Sequence, residues 1–454
     1  MERERLSSRL GFILVAVGCA VGLGNVWRFP YVVGQNGGAI FVLIYLCFLA
    51  IFGLPIIVME FAVGRASQQS VARSFKVLEP KNTKWHIFGY FAMVANYLLM
   101  MFYTVIAGWV FNYFFLTLKG DFEGKSVHDI ENIFGSVSGN PVQSVFWMVL
   151  VVVLSFIVCG FGLKNGVEKV TKVIMSGLFI IMMVLTFKAL SLDGAIKGIE
   201  FYLKPNFSIF AQKGIGAVLS EAMGQAFFTL GLGVGSMAIF GSYLGKDRSL
   251  NGEAIYITFL DTVVALISGL IIFPACSSFG VDVTSGPNLV FITLPNIFNK
   301  MSGGRIWGSL FFVFMCFAAV SSIIAVFENI ISFGIDLFKW SRKKSVIINI
   351  FAMIILSLPC ALGFNVLSFI EPLGKGTSIL DLENFILNNN LLPIGAIVYI
   401  TFCTTKYGWG YDNFIEEANM GKGLKFPKSI RLYLTFILPL LVLAVFIQGY
   451  LALI

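Results

Sequence analysis

Apolar stretches of about 20 residues recur along this chain, and that recurrence restricts its fold more than any other feature. Twenty helical residues cover a ~30 Å hydrocarbon core, and backbone inside that core must satisfy its own polar groups. We read helices over residues 9–35, 39–68, 86–118, 143–161, 166–190, 215–244, 251–277, 305–338, 345–363, 378–404 and 429–453. The expected fold is an all-α integral membrane protein with about 11 transmembrane helices, in one domain over 1–454. Three polar-rich connections fall at 119–142, 191–214 and 405–428, and residues 286–300 read as a short helical hairpin cut by Pro287 and Pro295.

Composition agrees with a bilayer and excludes other classes. Of 454 residues 57% are hydrophobic and only 12% charged, too few for the surface of a soluble protein. The first apolar stretch outruns a signal h-region and lacks a small-residue cleavage site, so it reads as a retained helix. A net charge of +8 invites a nucleic-acid partner, but the basic residues sit on alternate connections. Arg3, Arg5 and Arg9 precede the first helix; Arg65, Arg73, Lys76, Lys81 and Lys84 follow the second; Lys339, Arg342, Lys343 and Lys344 follow the eighth. The link after the third helix instead carries Asp121, Glu123, Asp129 and Glu131. This distribution is a topology signal, with the N-terminus cytoplasmic and, after an odd number of crossings, the C-terminus outside the cell membrane. The seven cysteines stand singly and the two histidines are isolated, which reads as buried small hydrophobes rather than metal chemistry.

Two segments break the pattern. Residues 20–25 read Ala-Val-Gly-Leu-Gly-Asn inside the first helix. Residues 224–235 read Gly-Gln-Ala-Phe-Phe-Thr-Leu-Gly-Leu-Gly-Val-Gly inside the sixth. Irregular backbone at membrane depth survives only where protein buries it or where it lines a cavity. Small residues for close helix packing are the plainer explanation. Asn25, Gln225 and Thr229 beside the breaks favour a binding site, and interruptions at corresponding positions of two halves point to an inverted-repeat transporter.

The motifs resemble one family. Arg9-Leu10-Gly11-Phe12, Gly22-Leu23-Gly24-Asn25-Val26-Trp27-Arg28-Phe29-Pro30 and Gln35-Asn36-Gly37-Gly38 are similar to the signature of the neurotransmitter:sodium symporters, whose bacterial members are sodium-coupled amino-acid transporters. The likeness continues through Gly53-Leu54-Pro55, Glu60, Gly64-Arg65, Phe227-Phe228-Thr229 and Ser321-Ser322. It implies a five-plus-five inverted repeat, residues 1–190 and 215–404 with helices 1 and 6 broken, and an additional helix at 429–453 where many members have two more. It also implies Na⁺-coupled symport of an amino acid by alternating access, with a channel or a non-transporting amino-acid sensor on the same pocket as the alternative. An enzyme would need paired catalytic groups, and Glu60 and Asp261 lie in separate helices without a nucleophile motif.

By the same resemblance, Ala20, Gly22, Leu23, Gly24, Tyr103, Phe228, Thr229 and Ser322 surround the amino acid, with Phe228 and Tyr103 as a lid. Leu99, Val326, Gly231 and Val234 bound room for a large apolar or aromatic side chain. One Na⁺ is implied at Ala20, Asn25, Thr229 and Asp261, and a second at Gly18, Val21, Ala318, Ser321 and Ser322, as suits a hard cation seeking oxygen ligands. Many members carry asparagine where Asp261 stands. A carboxylate deep in an apolar helix is costly unless paired, so its fixed charge could balance Na⁺ and no chloride is expected. Two gates are implied: Arg28 with Asp381 or Asn384 of the tenth helix and Gln225 nearby, and Arg3 with Asp336 at the inner side. Glu60 is expected to hold unwound backbone of the sixth helix.

Overall fold

The structure is a computed structural model that describes residues 4, 6–281 and 288–451; among them the regular elements are all helical. We number the principal helices in chain order. Helix α1 comprises Arg9–Ala20 and Gly24–Gln35, bent by 57° at the break. It is followed by α2 (Ala39–Ser67), α3 (Ile87–Lys119), α4 (Pro141–Gly160) and α5 (Leu163–Leu190). Helix α6 is split into Ile215–Thr229 and Ser236–Ser242. Then come α7 (Leu250–Ser278), α8 (Gly304–Phe338), α9 (Arg342–Leu362) and α10 (Ile379–Thr404). Last is α11, Tyr433–Ile437 continued by Leu438–Leu451. Helices α2–α5 and α7–α10 are each long and apolar enough to cross a bilayer, and α1 is so when its halves count as one span.

Local chemistry sets the helix ends. Ser8 accepts from the Gly11 amide at 3.0 Å to start α1, and Ser378 with Asp381 forms a reciprocal capping box on α10. Asn140 caps α4 ahead of Pro141, whose fixed φ suits a first turn. The connections hold more order than their polarity suggested. Amphipathic helices occupy Val71–Leu78, Val127–Gly139, Ala195–Leu203 and Tyr411–Ala418, each laying an apolar stripe on the bundle. The segment expected to be cut at Pro295 is instead one helical run, Leu289–Thr293 into Leu294–Lys300. A wide π-type turn ahead of Pro295 absorbs the hydrogen bond that its missing N–H cannot make. Pro287 lies outside the described residues.

The long α8 is the central post: α1, α3, α4 and α5 all pack along it. On the other side α2 meets the second half of α6, Ser236–Ser242, backbone to backbone. A Cβ on Gly64 would overlap the Ala238 carbonyl, and one on Gly241 would sit 2.5 Å from the Phe61 carbonyl oxygen. Both glycines are there because nothing larger fits.

Candidate functional site

The α1 break comes from diverted hydrogen bonds. In an unbroken helix Gly18 O would accept from the Gly22 amide and Val21 O from the Asn25 amide. Instead Gly22 N–H donates to Asn25 Oδ1 (3.3 Å), and Asn25 N–H donates to Gly22 O (3.1 Å). Asn25 thus frees two carbonyls, Gly18 O through its side chain and Val21 O through its own backbone N–H. They face α8, where the Ser322 hydroxyl donates toward Gly18 O (3.2 Å), Val21 O (3.0 Å) and Ala318 O (3.3 Å). Ser321 Oγ lies 3.0 Å from Ala318 O. The second predicted ion set is therefore brought together: three carbonyls and two hydroxyls, oxygen donors throughout, which is the chemistry of a hard alkali or alkaline-earth cation.

Of the first ion set, Asn25, Thr229 and Asp261 meet directly, and Ala20 lines the same cavity as Asn25 and Thr229. Asp261 on α7 is fully buried. Asn25 Nδ2 donates to its Oδ1 at 2.8 Å and Thr229 Oγ1 to its Oδ2 at 3.1 Å. Among the described residues no cationic side chain pairs with it. Two neutral donors do not compensate a buried carboxylate, so the arrangement suits a bound cation beside it. The amide nitrogen of Asn25, not its oxygen, faces Asp261 here.

Helix α6 opens through glycines that adopt left-handed backbone, with φ of +56° at Gly231, +94° at Gly233 and +73° at Gly235. Glu60 of α2, fully buried, holds the opened chain as expected: Oε1 accepts from Gly233 N (2.6 Å) and Oε2 from Met237 N (3.1 Å).

Between the two breaks lies a cavity of about 60 Å³. Ala20, Gly22, Gly24, Leu99, Tyr103, Phe228, Thr229, Gly231, Ser322 and Val326 line it among the expected residues. Leu23 meets it through its amide, which donates to the Tyr103 hydroxyl at 2.9 Å. Val234 does not line it; its side chain is fully buried and its carbonyl accepts from Asn96 Nδ2 at 2.9 Å. Unforeseen lining residues are Cys19, Met100, Leu230, Ser236 and, from α10, Leu387 and Leu392. A π-type turn over Leu387–Leu391 carries the α10 pair to the wall, a distortion without a residue signature in the chain.

The outer gate differs from expectation. Arg28 does not join α10: its guanidinium lies over the Phe228 ring, 4.4 Å from the centroid, and its Nη1 is buried without a hydrogen-bond partner. Asp381 is occupied by its own capping box, and Asn384 accepts from Asn388 at 2.6 Å. Gln225 Nε2 reaches Gly24 O at 3.5 Å. At the inner side Asp336 accepts from Ser70 N at 2.6 Å, whereas Arg3 lies outside the described residues.

One polar pair escaped the sequence reading. Asn96 of α3 and Asn329 of α8 are fully buried, and Asn329 Nδ2 donates to Asn96 Oδ1 at 3.0 Å. Together they reach the opened α6 backbone, Asn96 at Val234 O and Asn329 at Gly235 O (3.5 Å). Their spacing from Leu99 and Val326, one turn in each case, was the available signal.

The chain matches the sodium:neurotransmitter symporter family over residues 3–133 and 122–453. It is 34% identical to an uncharacterized sodium-dependent transporter of Bacillus subtilis, covering 97% of this chain and 96% of the relative. An uncharacterized sodium-dependent transporter of Methanocaldococcus jannaschii is 32% identical, over 95% and 88% respectively. Among solved structures, that of MhsT in complex with L-phenylalanine superposes with a TM-score of 0.88 at 36% identity, covering 99% of this chain and all of MhsT.

Proposed function

Because the chain belongs to the sodium:neurotransmitter symporter family, we propose that this sodium-dependent transporter carries a hydrophobic or aromatic amino acid into the cell without a chloride requirement. The observation that carries the reading is the pairing of two helix breaks around one cavity, with an unpaired buried carboxylate at one side of the α1 break and a set of carbonyls and hydroxyls at the other. Alternating access then runs between two repeats, 1–190 and 215–404, in the cell membrane with the N-terminus cytoplasmic and, over eleven spans, the C-terminus outside.

Each residue has a role in that cycle. One Na⁺ is cargo at Ala20, Asn25, Thr229 and Asp261, where the Asp261 charge supplies the counter-anion. The other is cargo at Gly18, Val21, Ala318, Ser321 and Ser322. The substrate carboxylate lies beside the first ion, near the amides of Gly22–Gly24 and the Tyr103 hydroxyl. Helix N-termini favour that negative charge and helix C-termini favour the ammonium. Leu99, Met100, Val326, Leu387 and Leu392 contact the side chain, and Phe228, backed by Arg28, covers it. That MhsT was solved with L-phenylalanine supports a large apolar solute.

Uptake of radiolabelled amino acids by proteoliposomes under an inward Na⁺ gradient tests this. Phenylalanine or a comparable apolar amino acid accumulates above its external concentration, and the accumulation collapses when Na⁺ is equalised. Flux that never exceeds equilibrium would mean a channel, and binding without flux a sensor.

A further inference from the structure

Arg73 is a charge without a counter-charge. It lies half-buried on the amphipathic helix Val71–Leu78, and its guanidinium makes one long hydrogen bond, from Nη1 to the Asp336 carbonyl at 3.4 Å. Among the described residues no carboxylate pairs with it. Together with Lys76, His86, Tyr90 and Asp336, it lines a cavity of about 200 Å³ between that helix, the start of α3 and the end of α8. The two acids nearby are engaged elsewhere. Asp336 Oδ2 accepts from Ser70 N at 2.6 Å, and Glu79 meets Lys76 Nζ at 2.7 Å and His86 Nδ1 at 2.9 Å. That leaves two of the three Lys76 donors, and most of the five in the Arg73 fork, for an anion. A planar fork fits a phosphate or carboxylate two bonds at a time.

The cavity adjoins a lipid-facing surface. Ile87, Tyr90 and Val94 are each more than half exposed and share one face of the spanning helix α3. Tyr90 belongs both to that face and to the cavity wall. Trp85 flanks the same end of α3, and Phe338 stacks on Trp340 just where α8 ends. Such aromatic residues mark the level of the lipid headgroups. Lys76, Lys81 and Lys84, all exposed, lie on the amphipathic helix and on its link to α3. Basic pockets between spanning helices at headgroup depth select anionic lipids. A lipid phosphate reaches this depth with its chains already beside α3, whereas a free anion has no such anchor.

We infer that this cavity seats the phosphate of an anionic phospholipid, held by the Arg73 fork and Lys76, with its acyl chains on the Ile87, Tyr90 and Val94 face of α3. The surrounding lysines repel the ammonium of a zwitterionic headgroup, so a lipid of the phosphatidylglycerol type is preferred. Bound there, it ties the helix Val71–Leu78 to the ends of α3 and α8. The site does not depend on which solute is carried.

The test is the melting temperature of the purified full chain in detergent. The additions are phosphatidylglycerol, phosphatidylcholine with the same chains, or glycerol 3-phosphate. Saturating phosphatidylglycerol should raise the temperature by about 3 °C, and the other two by less than about 1 °C. In Arg73→Gln the phosphatidylglycerol shift should fall below about 1 °C, whereas Arg305→Gln, at the opposite end of α8, should keep it in full. Should Arg73→Gln fail to purify, Arg73→Lys, which keeps the charge without the fork, should lose at least about half of the shift. An equal response to phosphatidylcholine, or an undiminished one in the Arg73 variant, would overturn the inference. A full response to glycerol 3-phosphate alone would overturn it too, and make the cavity a site for soluble phosphate.

Discussion

Replacing Asp261 with asparagine removes the fixed negative charge at the first ion set while retaining the shape and one oxygen. The carboxylate is fully buried, with only the neutral donors Asn25 and Thr229 against it. An oxygen-to-cation separation of ~2.4 Å is usual for a hard cation. At an effective dielectric of ~20, the attraction there is ~7 kcal/mol. The asparagine variant is spared the cost of burying an anion, and its amide dipole recovers part of the rest. Breaking one side of a buried pair costs ~3–5 kcal/mol. The lower end, about 3 kcal/mol, corresponds to roughly a 100-fold higher Na⁺ concentration for half-maximal uptake. The assay is Na⁺ activation of uptake in proteoliposomes, run in chloride and in gluconate. Asp261→Asn should show this large shift in gluconate, and chloride should recover part of the loss by supplying the missing charge or else leave transport abolished. Unchanged Na⁺ activation in gluconate would refute the argument that Asp261 carries the charge balance.

Three further outcomes follow from the geometry. Ser322→Ala withdraws the hydroxyl that reaches Gly18 O, Val21 O and Ala318 O, and should raise the Na⁺ requirement by ~5–30-fold, for a loss of ~1–2 kcal/mol, in the same activation assay. Glu60→Gln presents an NH₂ group to one of two backbone donors, Gly233 N or Met237 N. Leaving that buried amide unpaired costs ~1–3 kcal/mol, read as a lower melting temperature of the purified protein in detergent. Gly22→Ala places a methyl 2.5 Å from the Tyr103 hydroxyl and 2.7 Å from Ser322 Oγ. It should reduce uptake more than ~10-fold at normal membrane expression, because a short contact at the break displaces groups from both the solute cavity and the second ion set.

The parts of the site legible in the sequence are those where one residue type has one physical use. Glycines at 231, 233 and 235 permit positive φ, and Asn25 can replace a backbone partner, so both breaks were visible in the chain. Apolar length gave the spans for the same reason, since a bilayer admits few alternatives. Choices among near-equivalent partners were not legible. Arg28 had acidic and amide candidates on α10 and instead stacks on Phe228 while Asp381 caps its own helix. Val234 differs from Ser236 only by two positions, and which of them reaches the cavity depends on the turn of a glycine-rich segment with no helical period. Leu387 and Leu392 reach the wall through a backbone bulge that side-chain periodicity does not encode.

The contact of α2 with the second half of α6 has a mechanical consequence. Gly64 against Ala238 and Gly241 against Phe61 leave no side-chain cushion between the two helices. Glu60 fastens Met237 from above, and the Arg65 guanidinium, whose Nε bonds Glu417 at 2.5 Å, also donates to Arg248 O at 2.7 Å just beyond the end of α6. Surfaces this close neither slide nor rotate against each other, so the two pieces form a single plank. Any swing of the second half of α6 carries α2 along, and the bending falls on residues 230–235. Across that joint Asn96 and Asn329 hold the chain by hydrogen bonds to the Val234 and Gly235 carbonyls, a grip that can let go and re-form as the joint bends.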